Sequence, residues 1–347
     1  MSGSEKPETQ EAVVLNIQRM STEDGPGIRT SVFFKGCSLK CTWCHNPESI
    51  LAKPQIQWIG THCIGCKTCL DVCENGALSF TPEGVAIDRD RCIGCGACAD
   101  ECPSTAMDLL GKRWTLEGLI AEVAKDRVYF EKSEGGITAT GGEPTVQAPF
   151  VAAFLKGLRE TGIPTALDTC GQCARRALDA ILPHADMVLF DVKEIDPDRH
   201  KTFTGVTNER ILENLIHVAK KIRADGNPKR LWVRTPIIPN ATDREENIRG
   251  IGAFIASNLQ GAVQRWELCA FNNLCRDKYV RLGIDWAFKD DQPMTREDME
   301  ALAQAAKSSG VDPDIVHWTG ATRTDIEEKP GGDKNEGLRL VKSCATG

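Results

Sequence analysis

The cysteines carry the first chemical signal. Eleven of the sixteen fall in three tight clusters. In the stretch GCSLKCTWCHNPES, residues 36–49, Cys37, Cys41 and Cys44 stand at C-x3-C-x2-C spacing. Thiolates this close can converge on one soft metal centre. Three thiolates on a four-iron cube leave one iron without a protein ligand, free to take up a small molecule. A structural zinc site is the alternative, and it normally takes four ligands. The other two clusters both read C-x2-C-x2-C-x3-C: Cys63, Cys66, Cys69 and Cys73, then Cys92, Cys95, Cys98 and Cys102. Pro103 follows the second run and Glu74 the first. Thiols packed this tightly make poor disulfide staples and good metal ligands.

Further candidates stand where strands should end. GGITATGGEP (135–144) runs a strand into Gly141, Gly142 and Glu143. Glycines there let a ligand approach the backbone, although a plain turn would use them equally well. Asp168-Thr169 and Asp191-Val192-Lys193 close two later strands. Their carboxylates could hold a cation or a positive ligand group, or simply cap helices. Arg234, in VRTPIIP, suits a carboxylate held by both arms of its guanidinium, or a surface salt bridge. The stretch ELCAFNNLCRDKY (267–279) adds Asn272 with Cys269 and Cys275, which read as buried free thiols. Cys170 reads as a small buried side chain, while Cys173 and Cys344 receive no role.

The elements that must position these groups follow from periodicity. Strands are expected at 12–18 and 31–35, with the turn Asp24-Gly25-Pro26-Gly27 between them. From Trp114 onward helix and strand alternate. Helices are expected at 115–126, capped by Thr115, and at 150–161, 175–182, 209–223, 246–257 and 295–309. Strands are expected at 135–140, 165–168, 187–190, 231–235 and 264–271. Such βα repeats argue for a parallel sheet wound into a full or partial barrel, with chemistry at the strands' C-terminal ends. The expected organisation is a mobile tail at 1–11, a discontinuous core at 12–60 and 109–319, a cysteine-rich insert at 61–108, and a tail of low order at 320–347. At 347 residues the chain suits one large domain plus a small one. Its net charge of −7 disfavours a general nucleic-acid binder. No apolar run approaches membrane-spanning length. The polar start MSGSEKPETQE lacks a signal core, so a cytoplasmic protein is expected.

Two resemblances sharpen this reading. The duplicated run at 63–102 resembles a bacterial two-cluster ferredoxin, in which the fourth cysteine of each run binds the other cluster. That likeness assigns Cys63, Cys66, Cys69 and Cys102 to one [4Fe-4S] cluster, and Cys92, Cys95, Cys98 and Cys73 to the other. The C-x3-C-x2-C loop, with Trp43 before its third cysteine and HNPES after it, resembles the radical S-adenosylmethionine (SAM) superfamily. The flanking DGPGIRTSVFFKGC is similar to the activating enzymes of glycyl radical enzymes. GGEP, DVKEIDPDRHKTFTG with Asn208 and ILENL beyond it, and VRTPIIP extend the likeness from Asp24 to about Tyr279.

The family resemblance implies an α/β fold, a partial (β/α)6 TIM-type barrel with an inserted ferredoxin-like α+β module. It implies three [4Fe-4S] clusters, the SAM-binding one on Cys37, Cys41 and Cys44. SAM would be held by Trp43, Cys44, His45, Gly141, Gly142, Glu143, Asp191, Val192, Lys193, Arg234 and Asn272. A monovalent cation would sit by Asp168, Thr169 and Asp191. The family more often has Ser at Thr140 and a histidine at Asn272; an amide cannot titrate, which leaves that position without acid–base chemistry. His200 reads equally well as a structural histidine. The implied reaction is reductive cleavage of SAM to a 5′-deoxyadenosyl radical, which takes hydrogen from a glycine Cα of a partner enzyme. No acid–base pair is called for. The partners implied are a glycyl radical enzyme and a flavodoxin or ferredoxin as electron donor, with this chain a monomer. Two alternatives are a radical SAM maturase acting on another peptide and a non-catalytic iron–sulfur electron carrier.

Overall fold

The computed structural model describes residues 11–259 and 261–323. Strands β1 (Glu11–Ser21) and β2 (Arg29–Phe34) form an antiparallel pair. The three-cysteine loop leaves β2 and leads to β3 (Gln55–Trp58). The cysteine-rich module follows: α1 (Thr68–Asp71), the hairpin of β4 (Leu78–Thr81) and β5 (Gly84–Ile87), then α2 (Ala97–Asp100) and β6 (Met107–Leu110), which pairs back onto β3. Strand β7 (Lys112–Thr115) rejoins the main sheet beside β1. Next come α3 (Leu116–Val123), α4 (Arg127–Ser133), β8 (Gly136–Gly141), α5 (Ala148–Glu160), β9 (Thr165–Thr169), α6 (Arg175–Ile181) and β10 (Met187–Asp191). The chain continues with α7 (Pro197–Thr204), α8 (Glu209–Asp225), β11 (Arg230–Ile237), α9 (Glu245–Asn258), β12 (Arg265–Ala270), α10 (Arg276–Leu282), α11 (Arg296–Lys307) and β13 (Val316–Thr319).

The main sheet runs β13-β12-β11-β10-β9-β8-β2-β1-β7. Every pairing from β2 to β13 is parallel. The sheet stays open, ending at β13 on one side and β7 on the other. This is the expected partial barrel, with β13 adding one short parallel strand beyond the six βα units. Strand alternation divides its two faces. Leu167, Val188, Phe190, Val233, Trp266 and Leu268 join one buried core with Phe154, Leu155, Leu215, Ile251 and Ala306 from the helices. Truncating a fully buried phenylalanine such as Phe154 would cost about 3–5 kcal/mol. The other face carries a small apolar patch, Ala166, Met187 and Leu189 with Trp232, and otherwise polar groups.

Local signals explain most elements. Thr115 caps α3 by accepting from the Gly118 N–H, and Thr295 and Asp298 form a capping box on α11. Helices α4, α7 and α10 and the edge strands β7 and β13 were not expected from the sequence. For α7 a signal was present: Asp196 accepts from the Asp198 and Arg199 N–H groups, and Pro197 takes the first helical position. The expected tails fall mostly outside the described residues, as does Cys344. Within them, Glu11 opens β1 and Arg323 donates its N–H to the Met294 carbonyl.

Candidate metal centres

The loop from Gly36 to Ser49 is closed at its base by Gly36 N–H to Ser49 O at 2.7 Å and Cys37 N–H to Ile50 O at 3.0 Å. Lys40 and Thr42 donate their N–H groups to Thr204 O and Phe203 O at 2.9 Å each, using carbonyls at the end of α7. Underneath, the fully buried Lys35 ammonium donates to Glu48 O at 2.5 Å and to Gln55 Oε1 at 3.1 Å. Cys37, Cys41 and Cys44 are half-buried in this frame. Burial pushes the Cys41 thiol up to about 11 and Cys44 higher still. A hydrogen bond with Cys170 holds Cys37 below its ordinary value in spite of burial, with Lys193 adding to the effect. Among the described residues no three His, Cys, Asp or Glu groups converge closely enough to share one metal ion.

GGEP is stitched to the same loop. Gly142 N–H donates to Phe34 O at 2.9 Å and Glu143 N–H to Gly36 O at 2.7 Å. Gly141 has φ +123°, and a Cβ there would lie 2.4 Å from Phe34 N. A Cβ on Gly142 would lie 2.3 Å from Gly36 O. Glycine is therefore required for backbone contact with the thiol loop, whatever else binds there. The buried Glu143 carboxylate accepts from Thr145 N–H (3.1 Å), Thr145 Oγ1 (2.6 Å), Thr169 Oγ1 (2.8 Å) and Cys170 N–H (2.8 Å). It ties the end of β8 to the end of β9.

Inside the barrel, register sets Asp191 of β10 beside Arg234 of β11. The Arg234 guanidinium contacts Asp168 at 2.6 Å, Asp191 at 3.3 Å and Asp24 at 4.0 Å. Lys193 contacts Asp191 at 2.6 Å, and Thr140 Oγ1 donates to Asp168 at 2.6 Å. Burial raises the Asp168 carboxyl to about 6 against the pull of Arg234. Burial would raise Asp191 too, but Lys193 and Arg234 together hold it below its ordinary value. Lys193 is raised, burial being outweighed by Asp191 and the neighbouring thiols. Thr169 lies on the opposite face of β9 from Asp168, with its hydroxyl on Glu143. Its side chain therefore does not join Asp168 and Asp191 in the expected cation trio.

A distant segment grips the loop from the other side. Tyr279 O–H donates to Cys44 O at 2.8 Å and Trp286 Nε1–H to Thr42 O at 3.1 Å. Lys278 Nζ donates to His45 O (3.0 Å) and Asn46 Oδ1 (2.7 Å) and pairs with Glu48 at 2.7 Å. Tyr279 stacks on Trp286 with ring centroids 5.0 Å apart. Trp43 is buried in this aromatic group, against Phe203 and Phe288. His45 Nε2 is buried without a hydrogen-bond partner in the protein. Asn272 Oδ1 accepts from Leu274 N–H, a local turn bond that turns its side chain to its own backbone.

In the module, Cys63, Cys66, Cys69 and Cys102 line one small pocket with Trp58, Phe80 and Met107. Cys73, Cys92, Cys95 and Cys98 line a second with Ile56 and Leu78. Each cavity draws three thiols from one run and the fourth from the other. All-thiol donor sets in apolar walls suit iron–sulfur clusters.

Residues 62–106 match the family model of the 4Fe-4S dicluster domain, and residues 89–249 that of the radical SAM superfamily. The chain is 37% identical over 307 residues to the (2S)-3-sulfopropanediol dehydratase activating enzyme of Klebsiella oxytoca, covering 86% of this chain and 95% of that one. It is 34% identical over 298 residues to the trans-4-hydroxy-L-proline dehydratase activating enzyme of Clostridioides difficile, covering 86% and 96%. With the isethionate sulfite-lyase activating enzyme of Nitratidesulfovibrio vulgaris it shares 39% over 272 residues, covering 77% and 86%. The chain belongs to the radical SAM activating enzymes of glycyl radical enzymes. A solved domain of pyruvate-formate lyase-activating enzyme from Bacteroides vulgatus is also similar, with a TM-score of 0.43, 25% identity, and coverage of 54% of this chain and 99% of that one.

For a radical SAM activating enzyme the placement of groups is informative. Cys37, Cys41, Cys44, Asp168, Asp191, Lys193 and Arg234 gather at the C-terminal ends of the strands, where barrel chemistry sits. Val192 is buried there, its N–H on Arg234 O. A separate cavity of about 360 Å³, lined by Arg29, Thr165, Met187 and Arg230, opens at the opposite strand ends. His200 is buried, with Nδ1 on Val206 O and Thr204, which is a structural role. Sequence reasoning missed Lys35, Lys278, Tyr279 and Trp286. No local pattern marks them, because each acts through contact with the loop. No described helix is long and apolar enough to cross a membrane.

Proposed function

We propose that the protein activates a partner glycyl radical enzyme from the three-thiol loop. The observation that carries this reading is Cys37, Cys41 and Cys44 held beside Lys193, Asp191 and GGEP, in a chain of this family. A [4Fe-4S] cluster on these thiols and SAM, when bound, supply one-electron cleavage of the sulfonium and removal of hydrogen from a glycine Cα of the partner.

The chain's own residues place and enclose that chemistry. The thiol-only donor set and the unpartnered His45 Nε2 beside it fit such an occupant. Gly141 and Gly142 bring backbone close to the loop, and Lys193 presents its charge to the thiols and to SAM. Trp43 and its aromatic neighbours keep water from one side. Arg234 is the family's candidate for the SAM carboxylate. With its guanidinium engaged by three aspartates, we assign it to setting the charge of the lumen and orienting Asp168 and Asp191 toward a cation. The two module cavities hold two further clusters, giving three in all, fed by a flavodoxin or ferredoxin, with the chain a cytoplasmic monomer.

The test is electron paramagnetic resonance. The anaerobically reduced protein, SAM and a cognate glycyl radical enzyme should yield a glycyl radical on the partner. A Gly→Ala change at the partner's radical site should abolish it. A maturase of other peptides would instead leave the partner silent and modify a different residue type.

A further inference from the structure

The two module sites are not equivalent in how they meet the core. A Cβ on Gly94, between Cys92 and Cys95, would lie 2.3 Å from Pro54 O, so this backbone rests directly on the segment leaving the three-cysteine loop. The neighbouring Gln55 accepts from Lys35, which precedes Gly36 and Cys37. Arg89, three residues before Cys92, donates to Ile56 O and, at 3.2 Å, to Arg281 O in the last turn of α10. From the same helix Tyr279 reaches Cys44 O. The walls of both cavities come from the module itself, residues 56–98 and 58–107, so it is the Gly94 and Arg89 contacts that set this site apart.

Resting on the cluster reading above, we infer that the Cys73, Cys92, Cys95 and Cys98 site is the one joined to the SAM-cluster loop. We further infer that Arg89 and α10, through Tyr279, are positioning residues that fix the two at short range. An electron from an external one-electron donor, itself oxidised by one, then leaves the module from this site. The Cys63, Cys66, Cys69 and Cys102 site lies one step further out. Two short contact routes, Gly94–Pro54–Gln55–Lys35 and Arg89–Arg281–Tyr279, meet the loop at its two ends, Cys37 and Cys44. A merely decorative module would need neither.

The experiment uses the anaerobically purified, iron-loaded full chain. Iron content and Mössbauer spectra come first: fewer than three clusters would refute the cofactor reading itself. With three present, pulsed electron paramagnetic resonance reads how the reduced SAM-loop cluster relaxes, identified by its change on adding SAM. Magnetic coupling falls as the inverse cube of separation, so the nearer site dominates. Cys98→Ala should abolish the fast relaxation, and Cys69→Ala should leave it. Equal effects, or the reverse order, would overturn the inference. If Cys98→Ala strips both module clusters, Arg89→Ala carries the test, since it leaves all four thiols in place and removes hydrogen bonds to two backbone carbonyls. It should weaken the coupling at full iron content, and unchanged coupling there would sink the assignment.

Discussion

Replacing Glu143 by glutamine separates two roles for GGEP. The family reading gives Glu143 to SAM, while the structure also gives it four internal donors. Glutamine can keep its oxygen toward Thr145 and Thr169. Its amide nitrogen then faces the Cys170 N–H, donor against donor, and that N–H finds no acceptor. A bond to a charged group contributes about 1.5–3 kcal/mol, and a buried donor left unpaired costs about 1–3 kcal/mol. Both figures describe the same lost contact, so the expected cost is about 2–3 kcal/mol, a sizeable share of the roughly 5–15 kcal/mol that holds typical proteins folded. The assay is anaerobic thermal unfolding of the iron-loaded protein without SAM, together with hydrogen exchange at the Cys170 amide. The melting temperature should fall by roughly 4 °C, and the amide should exchange faster. A variant within about 1 kcal/mol of the parent that nonetheless loses SAM binding would refute the scaffolding argument.

Two further outcomes follow from buried charge. Burial lowers the Lys35 ammonium from its ordinary 10.5 to about 8, which is about 3 kcal/mol of linkage. Below pH 8 the folded protein bears the whole desolvation cost; from pH 8 to about 10.5 the unfolded chain holds more protons, so stability from this group rises. The parent's stability relative to Lys35→Met should therefore rise by about 3 kcal/mol across that window in urea titrations, and a flat difference would contradict it. Arg234→Met leaves Asp24, Asp168 and Asp191 facing one another and should cost about 3–5 kcal/mol at pH 7.5. Asp168 is already raised to about 6, and losing Arg234 raises it further. Stability from a raised carboxyl is lost as pH rises through its folded value, so the loss should be smaller at pH 5 than at pH 7.5. Thermal scans at the two pH values decide this, and equal losses would refute it.

What was legible in the sequence was local chemistry. Cysteine spacing carries its own meaning, and the crossing of thiols between the two module cavities is the one that the likeness to a two-cluster ferredoxin implied. Amphipathic helices and apolar strands could be placed because their burial pattern repeats along the chain. Edge strands β7 (KRWT) and β13 (VHWT) are four residues each and half polar, so they leave little pattern. Helix α10 (RDKYVRL) has no side-chain cap and is marked by its contacts: Tyr279 meets Cys44 across 235 residues. Register between strands is also unreadable in one sequence, which is why three aspartates around Arg234 could not be foreseen. Thr169 was different. Strand alternation puts its side chain on the face opposite Asp168, and period two alone could have shown that its hydroxyl would not face that carboxylate.

The most direct measurement is 5′-deoxyadenosine released from SAM by the anaerobically reduced, iron-loaded protein, compared with single Cys37→Ala, Cys41→Ala and Cys44→Ala variants. The account predicts release by the parent and none by any of the three, with the module's iron retained in each. Zinc in the parent's loop, or undiminished release by any one of the variants, would contradict it.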